Sequence, residues 1–132
     1  MNSIPFSIHL WDKDCRIIDC NEAALMLSNI REKSEYLGRY MELFPEYQPD
    51  GQLSVEKHAM IIKKVFADGR NQVLEWMRQT PDGMLVPVEI TCALIKFKDD
   101  NVVISYSRDL REYKKMMKDI EQQTSELEFK SH

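Results

Sequence analysis

The stretch VLEWMRQTPDGMLVPVEITCALIKF (residues 73–97) contains two strand-like segments on either side of a short turn. In the turn, Pro81 presets its own φ angle and Gly83 tolerates a positive one, which is typical of a tight reversal of the chain. After the turn, apolar and polar residues alternate with a period of two, the pattern of a strand with one buried face. The stretch therefore predicts an antiparallel hairpin of residues 73–79 and 85–97.

The second strand of this hairpin leads into a third strand. The alternation slips near residues 95–97, which indicates either a β-bulge or a strand with both faces covered. Residues 98–101 have the composition of another hairpin turn. Val102, Ile104 and Tyr106 are the apolar positions of the strand that follows. Three strands joined by hairpins predict one continuous antiparallel sheet.

The third strand runs into a charged helix without an intervening loop. Asp109 can cap this helix, and Glu112, three residues later, completes the D-x-x-E pattern of a capping box. The residues after Asp109 then show the a and d spacing of a heptad repeat. These seam positions are Leu110, Tyr113, Met117, Ile120, Thr124 and Leu127. We predict that a displacement of the strand is carried into the helix, which makes this corner an output lever.

The seam is shorter than three heptads, and Thr124 weakens it. Because short helices and short coiled coils are marginal alone, the helix is expected to pair with a second copy of itself or to continue into a longer coil. The alternative is that the helix packs on its own sheet.

The first half of the chain predicts a hairpin followed by helices. Residues 6–11 and 16–18 are strand-like and flank the turn composition of residues 12–14. Short helical turns, interrupted by prolines, occupy part of residues 31–53. The predicted order is β-β-α-(short helices)-α-β-β-β-α. This order predicts an α+β fold in which helices cover one face of a single sheet.

Two longer helices have recognisable ends. Asn21 is a good N-cap for a helix over residues 21–30. Ser54 is predicted to cap a helix over residues 54–68, whose apolar positions recur at helical spacing. Gly69 follows this helix as the expected left-handed C-cap.

Length and composition limit the classes of function. The 132 residues suffice for one domain, and the net charge of −4 is spread over the chain without a basic patch, so a nucleic-acid partner is not expected. No apolar run approaches the ~20 residues that span a bilayer, and no secretory signal is apparent. Cys15, Cys20 and Cys92 fit reduced thiols in the cytoplasm. We therefore expect a cytoplasmic protein with no membrane contact by this chain.

The sequence contains no pattern that predicts catalysis or a metal site. It lacks a nucleophile–base pattern, a glycine-rich phosphate loop and an HExxH motif. Glu75, Glu89 and Arg78 could suggest acid–base chemistry, but on adjacent strands they are better explained as a solvent-facing ladder of ion pairs. We therefore expect that the chain is not an enzyme.

Several stretches, taken in order, resemble the PAS domain, a sensory and interaction module. Cys15 stands where the family usually has a glycine, and Arg111 stands in place of the threonine in the closing D-[IL]-T signature. No single motif is decisive, but the set covers about residues 4–128. The resemblance is carried by residues 12–18 and 21–24, residues 75–78, 81–83 and 87–89, and residues 107–112.

The resemblance implies a five-stranded antiparallel sheet in the order 2-1-5-4-3. Residues 4–109 would form the sensory domain and residues 110–128 a signalling helix. Helices 21–30 and 54–68 would enclose a small cavity over one face of the sheet. Such domains usually belong to larger proteins, often histidine kinases, whose parent chain can be membrane-anchored. The implied partners are a second copy of the chain, an effector domain and a small ligand.

The cavity candidates are Met41, Phe44, His58, Ile62, Trp76, Ile90, Cys92, Ile104 and Tyr106. For any one residue of this pocket, simple core packing is the favoured alternative. His58 lies on the apolar stripe of its helix, where some haem-binding PAS domains have an axial ligand. We favour the alternative of a partly buried structural histidine. A flavin-thiol site would need a cysteine within residues 33–47, and there is none. The cofactor therefore stays unknown, with a small organic ligand as the expected class.

Two functional hypotheses remain. In the first, the domain binds a small ligand or partner and relays its state through Asp109, Leu110, Glu112, Tyr113, Met117, Ile120 and Leu127 to an effector, expected to be a histidine kinase. In the second, the domain only dimerises or binds a protein, and its core has no cavity larger than a water or two. A small enzyme of another α+β fold would need converging titratable groups in a pocket, and the sequence shows none.

Overall fold

The structure, a computed structural model, describes residues 6–130, with the backbone alone for Leu27 and residues 128–130. Residues 4 and 5 of the predicted domain therefore lie outside the described residues. In chain order the elements are β1 (Ser7–Trp11), β2 (Ile17–Cys20), α1 (Glu22–Leu27), α2 (Lys33–Arg39), a 3-10 turn (Tyr40–Leu43), α3 (Ser54–Asp68), β3 (Gln72–Gln79), β4 (Leu85–Phe97), β5 (Asp100–Asp109) and α4 (Arg111–Lys130).

The five strands form one antiparallel sheet in the order β2-β1-β5-β4-β3. This order confirms the predicted fold class. β5 lies at the centre and pairs with its neighbour in sequence, β4, on one side and with β1, which is far away in sequence, on the other. The first and last strands of the domain therefore meet in the middle of the sheet.

The hairpin of β4 and β5 is regular up to Phe97, which pairs with Asp100. Lys98 and Asp99 form the whole turn, with φ angles of 51° and 68°. Two left-handed residues are what a type I′ turn requires, and this turn matches the twist of the strands. The bulge considered for residues 95–97 is therefore wrong. The sheet has a register irregularity in β1 instead.

The main core packs α3 against the inner face of the sheet. Ile62 and Val65 of α3 contact Trp11, Cys92 and Val103, and all five side chains are buried. A second buried cluster joins the helical segment to the end of β2 and consists of Cys20, Ala24, Ile30, Tyr36 and Leu43. The helices thus cover one face of the sheet.

The predicted caps are partly confirmed. The Asn21 side chain accepts the Ala24 N–H at 3.2 Å and the Ile8 N–H at 2.9 Å, so it ties α1 to β1. Gly69 ends α3 in the left-handed conformation, with φ 67°. The capping role predicted for Ser54 is wrong. Its hydroxyl, already in the first turn of α3, instead donates to the carbonyl of the loop residue Pro45.

Cys15 has a left-handed backbone in the turn between β1 and β2, with φ 62°. Its amide donates to the Asp12 carbonyl at 3.0 Å, which closes the turn. A residue with a Cβ atom is disfavoured in this conformation, whereas glycine adopts it freely. The conformation explains why glycine is usual at this position in domains that the sequence resembles.

We predict that the Cys15→Gly variant is more stable than the Cys15→Ala variant by about 1 kcal/mol, because both lose the thiol and only alanine keeps the Cβ penalty. Urea unfolding of the two variants measures the difference. The matched control is Lys64, exposed within α3, where the alanine variant should be the more stable by about 1 kcal/mol. Equal stabilities at position 15 would contradict the prediction.

Candidate ligand-binding cavity

A cavity of about 30 Å³ lies between the inner face of the sheet and the helical side of the domain. This volume holds about one or two water molecules. Side chains from β1, β3, β4, β5, α2 and α3 line it, together with the segment around the 3-10 turn. The cavity therefore lies where the central strands and the covering helices meet.

One wall of the cavity is aromatic. The centroid of the His58 ring lies 4.3 Å from that of Trp11 and 5.4 Å from that of Phe44. The Phe44 ring lies 5.3 Å from Trp76, and Tyr40 meets Trp11 at 5.2 Å. Edge-to-face and tilted packing of this kind is favourable and leaves the rings little freedom. The wall is thus apolar and well ordered.

His58 projects from α3 into this wall. Burial lowers the pKa of His58 to about 4, so the ring is neutral at pH 7. No hydrogen bond of this ring occurs within residues 6–130, and its contacts are with other rings. A porphyrin does not fit a cavity of about 30 Å³. The haem considered for His58 therefore has no room here.

The opposite end of the cavity is polar and centres on Arg78, which is only 4% exposed. Its guanidinium donates to the Tyr36 hydroxyl at 2.6 Å, to Ser7 Oγ at 3.1 Å and to Ser28 Oγ at 3.3 Å. The Tyr36 hydroxyl lies 2.5 Å from Nε2 of His9. Since arginine can only donate, the Tyr36 oxygen accepts from Arg78, and the tautomer of His9 sets which of His9 and Tyr36 donates in their hydrogen bond.

The protonation states around Arg78 follow from burial. Burial, with added repulsion from Arg78 and His58, holds the pKa of His9 well below its ordinary value. Burial also raises the pKa of Tyr36, although the nearby charge of Arg78 opposes this shift. Both groups are therefore neutral at pH 7. Arg78 is the charged member of the group.

The interpretation of Arg78 as part of a solvent-facing ladder is wrong. Glu75 does face outward and pairs with Lys114 at 2.9 Å, and Glu89 pairs with Arg108 at 3.2 Å. Arg78, however, has the same strand parity as the buried Trp76, so it points to the inner face. This parity was visible in the sequence, but the charge of arginine argued against burial.

The structure brings together five of the nine predicted cavity residues. Those that line the cavity are Phe44, His58, Trp76, Ile90 and Cys92. Ile62 of α3 is buried in the main core, and Met41 is exposed on the 3-10 turn. The cavity thus combines predicted aromatic and apolar positions with residues that sequence reasoning missed. The missed ones include His9, Trp11, Tyr36, Arg78, Ser105 and Ser107.

The sequence-based assignment of Ile104 and Tyr106 to the cavity does not agree with their placement. The side chains of β5 that face the cavity are Ser105 and Ser107, and Tyr106 is exposed on the other face. The prediction put the apolar residues of β5 inward. On the inner face of β5, Val103 packs in the core and the small side chains of Ser105 and Ser107 line the cavity, so the predicted apolar positions do not mark the inner face of this strand.

The corner between β5 and α4 is held by short-range contacts. Leu110 is 3% exposed, and its N–H donates to the Pro87 carbonyl at 2.9 Å. Asp109 Oδ1 accepts the Arg111 N–H at 2.9 Å, and its carboxylate pairs with the Arg111 side chain. Among the described residues, the Glu112 side chain does not accept the hydrogen bond from the Asp109 N–H that a capping box requires. The corner is therefore an Asp–Arg cap rather than the predicted capping box.

Beyond this corner α4 extends away from the sheet. The predicted relay residues Tyr113, Met117, Ile120 and Leu127 are all exposed. Glu112 is exposed as well. In the first turns of α4, Lys114 contacts the sheet through its ion pair with Glu75. The alternative in which α4 packs along its own sheet therefore does not describe this structure.

Within residues 6–130, no group of three or more His, Cys, Asp or Glu side chains is placed to hold a metal ion. None of the helices described is both long and apolar enough to cross a bilayer.

We predict that stability falls as pH falls from about 6.5 to 4, because the unfolded chain binds protons at its histidines in this range while His58 in the folded state does not. Each such histidine contributes a slope of about 1.4 kcal/mol per pH unit. The His58→Phe variant should lose one such slope, which urea unfolding at several pH values measures. Titration of carboxylates changes the stability of the wild type and the variant equally. Parallel curves of the free energy of unfolding against pH would therefore contradict the prediction.

Comparisons with known proteins agree with this architecture. The family model of the PAS domain matches residues 5–112. The PAS domain of an HTR-like protein from Haloarcula marismortui superposes with a TM-score of 0.63 at 21% identity, over 80% of this chain and 81% of that one. The PAS domain of nitrogen regulation protein NR(II) from Vibrio parahaemolyticus gives a TM-score of 0.63 at 14% identity, over 82% and 92%.

A third structure also includes the region of the C-terminal helix. An RNA-binding Light-Oxygen-Voltage receptor gives a TM-score of 0.66 at 19% identity, over 98% of this chain and 36% of that one. A comparison with curated proteins gave no match. The identities of the solved structures are low, so they show the fold, whereas the family model covers most of the chain. The chain belongs to the PAS domain family.

Proposed function

We propose that this PAS domain senses the occupancy of its cavity and relays it through α4 to an effector domain of a larger protein, such as a histidine kinase. PAS domains are sensory, non-catalytic modules that commonly dimerise and link to effectors. The proposal divides the chain into a sensory domain of residues 4–109 and a signalling helix of residues 110–128.

The observation that carries the proposal is the path of β5. Ser105 and Ser107 of this strand line the cavity. Leu110, three residues after Ser107, is buried and bonded to β4 at the start of α4. Because the cavity wall and the helix corner belong to one strand, a shift of the wall has a short covalent route to the helix. No flexible loop separates them.

The exposed face of α4 supports pairing with a second copy of the chain. Its apolar residues are Tyr113, Met116, Met117, Ile120 and Leu127, all exposed. Tyr113, Met117, Ile120 and Leu127 keep the spacing of a coiled-coil seam. A second α4 would bury these residues, and a longer parent coil would extend the seam. We propose a homodimer on this basis.

One observation favours the alternative, a domain that dimerises without a ligand. A cavity of about 30 Å³ is the size that this hypothesis predicted. Sensing therefore requires either a ligand of very few atoms or an opening of the cavity. The two hypotheses differ in one respect that can be measured: only sensing requires that the cavity and the helix be coupled.

The same proposal places the domain in the cytoplasm. Cys15, Cys20 and Cys92 are free thiols. Burial raises the pKa of Cys92 to about 12, which keeps this thiol protonated and unreactive. Free cysteines of this kind are usual in reducing compartments.

For the dimer, we predict that Ile120→Glu raises the dissociation constant of the homodimer by about tenfold or more, since a buried seam position would then carry a charge. Gln122→Glu is the matched control, because it adds the same charge at an outer position of the helix. Sedimentation over a range of concentrations measures both. A monomer at all concentrations, or equal effects of the two variants, would count against the proposed seam.

For the relay, we predict that Ser107→Val changes the homodimer dissociation constant by about fivefold or more, the lower range of allosteric coupling. The substitution adds bulk to the cavity wall of β5, and the Ser107 hydroxyl has no partner to lose within residues 6–130. Thr91→Val, on the outer face of β4, is the control and should change nothing. Hydrogen exchange of α4 gives a second readout. Identical behaviour of both variants would favour the ligand-free dimerisation domain.

A further inference from the structure

The charge of Arg78 is not balanced by a negative charge within the described part of the domain. Among residues 6–130, its hydrogen bonds go to three hydroxyl oxygens, on Ser7, Ser28 and Tyr36, and no carboxylate pairs with it. Burying an ion without a counter-ion is costly, because hydroxyl dipoles replace only part of its hydration. A negative charge next to Arg78 would therefore be stabilised strongly.

Two more polar groups of the same cavity have no partner. Nε1 of Trp76 and Oγ of Ser107 are buried and make no hydrogen bond with the described residues, although both side chains line the cavity. The residues themselves are 3% and 4% exposed. Since the large majority of buried polar atoms are paired, two orphans beside one uncompensated cation are unusual. Trp76 can only donate, and the serine hydroxyl can donate as well.

The shape of the cavity limits what can satisfy these groups. A volume of about 30 Å³ excludes a drug-sized ligand in this conformation. Water could pair with the orphan groups, but it would leave the charge of Arg78 uncompensated. The guanidinium has five N–H donors. Both donors of Nη2 and one donor of Nη1 are used inside the domain, which leaves Nε–H and one Nη1–H, on different edges of the group, for the oxygen atoms of an anion.

We propose that the cavity binds a small planar monoanion of about three or four non-hydrogen atoms, of the carboxylate or nitrate class, at Arg78, with Trp76 and Ser107 as further donors. The proposal names the ligand class of the sensory cavity and rests on the function proposed above. The neighbouring rings of Phe44 and His58 exclude water and strengthen the attraction between the anion and Arg78.

The chain carries its own probe for this site. It has only two tryptophans, Trp11 and Trp76, and so gives two indole N–H signals in a ¹H–¹⁵N spectrum. The Trp11 indole already donates to Ser105 Oγ at 2.8 Å, whereas that of Trp76 has no acceptor within residues 6–130. Binding of an anion should therefore shift the Trp76 signal strongly and the Trp11 signal less.

The experiment titrates the wild-type protein with sodium acetate at ionic strength held constant with sodium gluconate, an anion too large for the cavity. Acetamide, which has the shape of acetate without its charge, is titrated in parallel. We expect a saturable shift of the Trp76 indole with acetate and none with acetamide. Equal responses to both, or no saturable response to acetate, would overturn the proposal.

Three variants then test the assigned donors. Arg78→Met should abolish the acetate response, whereas Arg108→Met, which removes an arginine from the outer face, should keep it. Ser107→Ala removes an unpartnered hydroxyl, so the fold loses no hydrogen bond there, and acetate affinity should fall by about tenfold. This variant decides the matter if Arg78→Met does not fold. An unchanged response in Ser107→Ala and in any folded Arg78→Met would overturn the assignment.

The outcome is separable from that of the sensory proposal. If acetate does not bind but Ser107→Val still alters the dimer, then the relay stands and the ligand class is wrong. If acetate binds but neither the dimer nor α4 responds to it or to Ser107→Val, then the anion site stands and the sensory function is wrong.

Discussion

β5 has to satisfy three demands at once, and the rest of the domain is arranged around it. Its edges pair with β1 and β4, so its backbone cannot move without disturbing the centre of the sheet. Its inner face supplies Ser105 and Ser107 to the cavity. Its end is fixed by the buried Leu110 before the chain becomes helical. A strand under these constraints suits the proposed relay, because packed elements shift between discrete arrangements instead of deforming continuously.

The polar interior has a cost that a purely structural core would avoid. Arg78 could be replaced in principle by an apolar side chain, and buried charges are often no more stabilising than such replacements. Instead the arginine holds a chain of hydrogen bonds that runs through Tyr36 to His9 and joins β3, α2 and β1. This chain links the covering helices to the sheet at the edge of the cavity. A network of this kind favours one arrangement of the helical side and leaves the positive charge of Arg78 free for the anion proposed above.

The sequence predicted the architecture better than the site, and the reasons are physical. The hairpin of β3 and β4 was predictable because the turn residues and the period of two agree. The inward face of β5 was not predictable from hydrophobicity, because the residues of this strand that face the cavity are Ser105 and Ser107. Arg78 was missed for a related reason. Its charge indicated a solvent-exposed position, although it lies on the same face of β3 as Trp76. Both errors fall on cavity residues, where a site departs from the patterns that specify a fold.

The same departure bears on how α4 works. A helix whose apolar residues are exposed gains little from its own domain beyond the first turns, where Leu110 and the Lys114–Glu75 pair hold it. Most helical stability in proteins comes from packing of an amphipathic face, and the proposed homodimer would supply that packing for α4. In this dimer the free energy of pairing would depend on the angle at which Leu110 and Asp109 present the helix. A small change at β5 would alter that angle at its origin, and the length of the 20-residue helix would amplify the displacement at its far end. The proposed relay therefore requires no large internal movement of the domain.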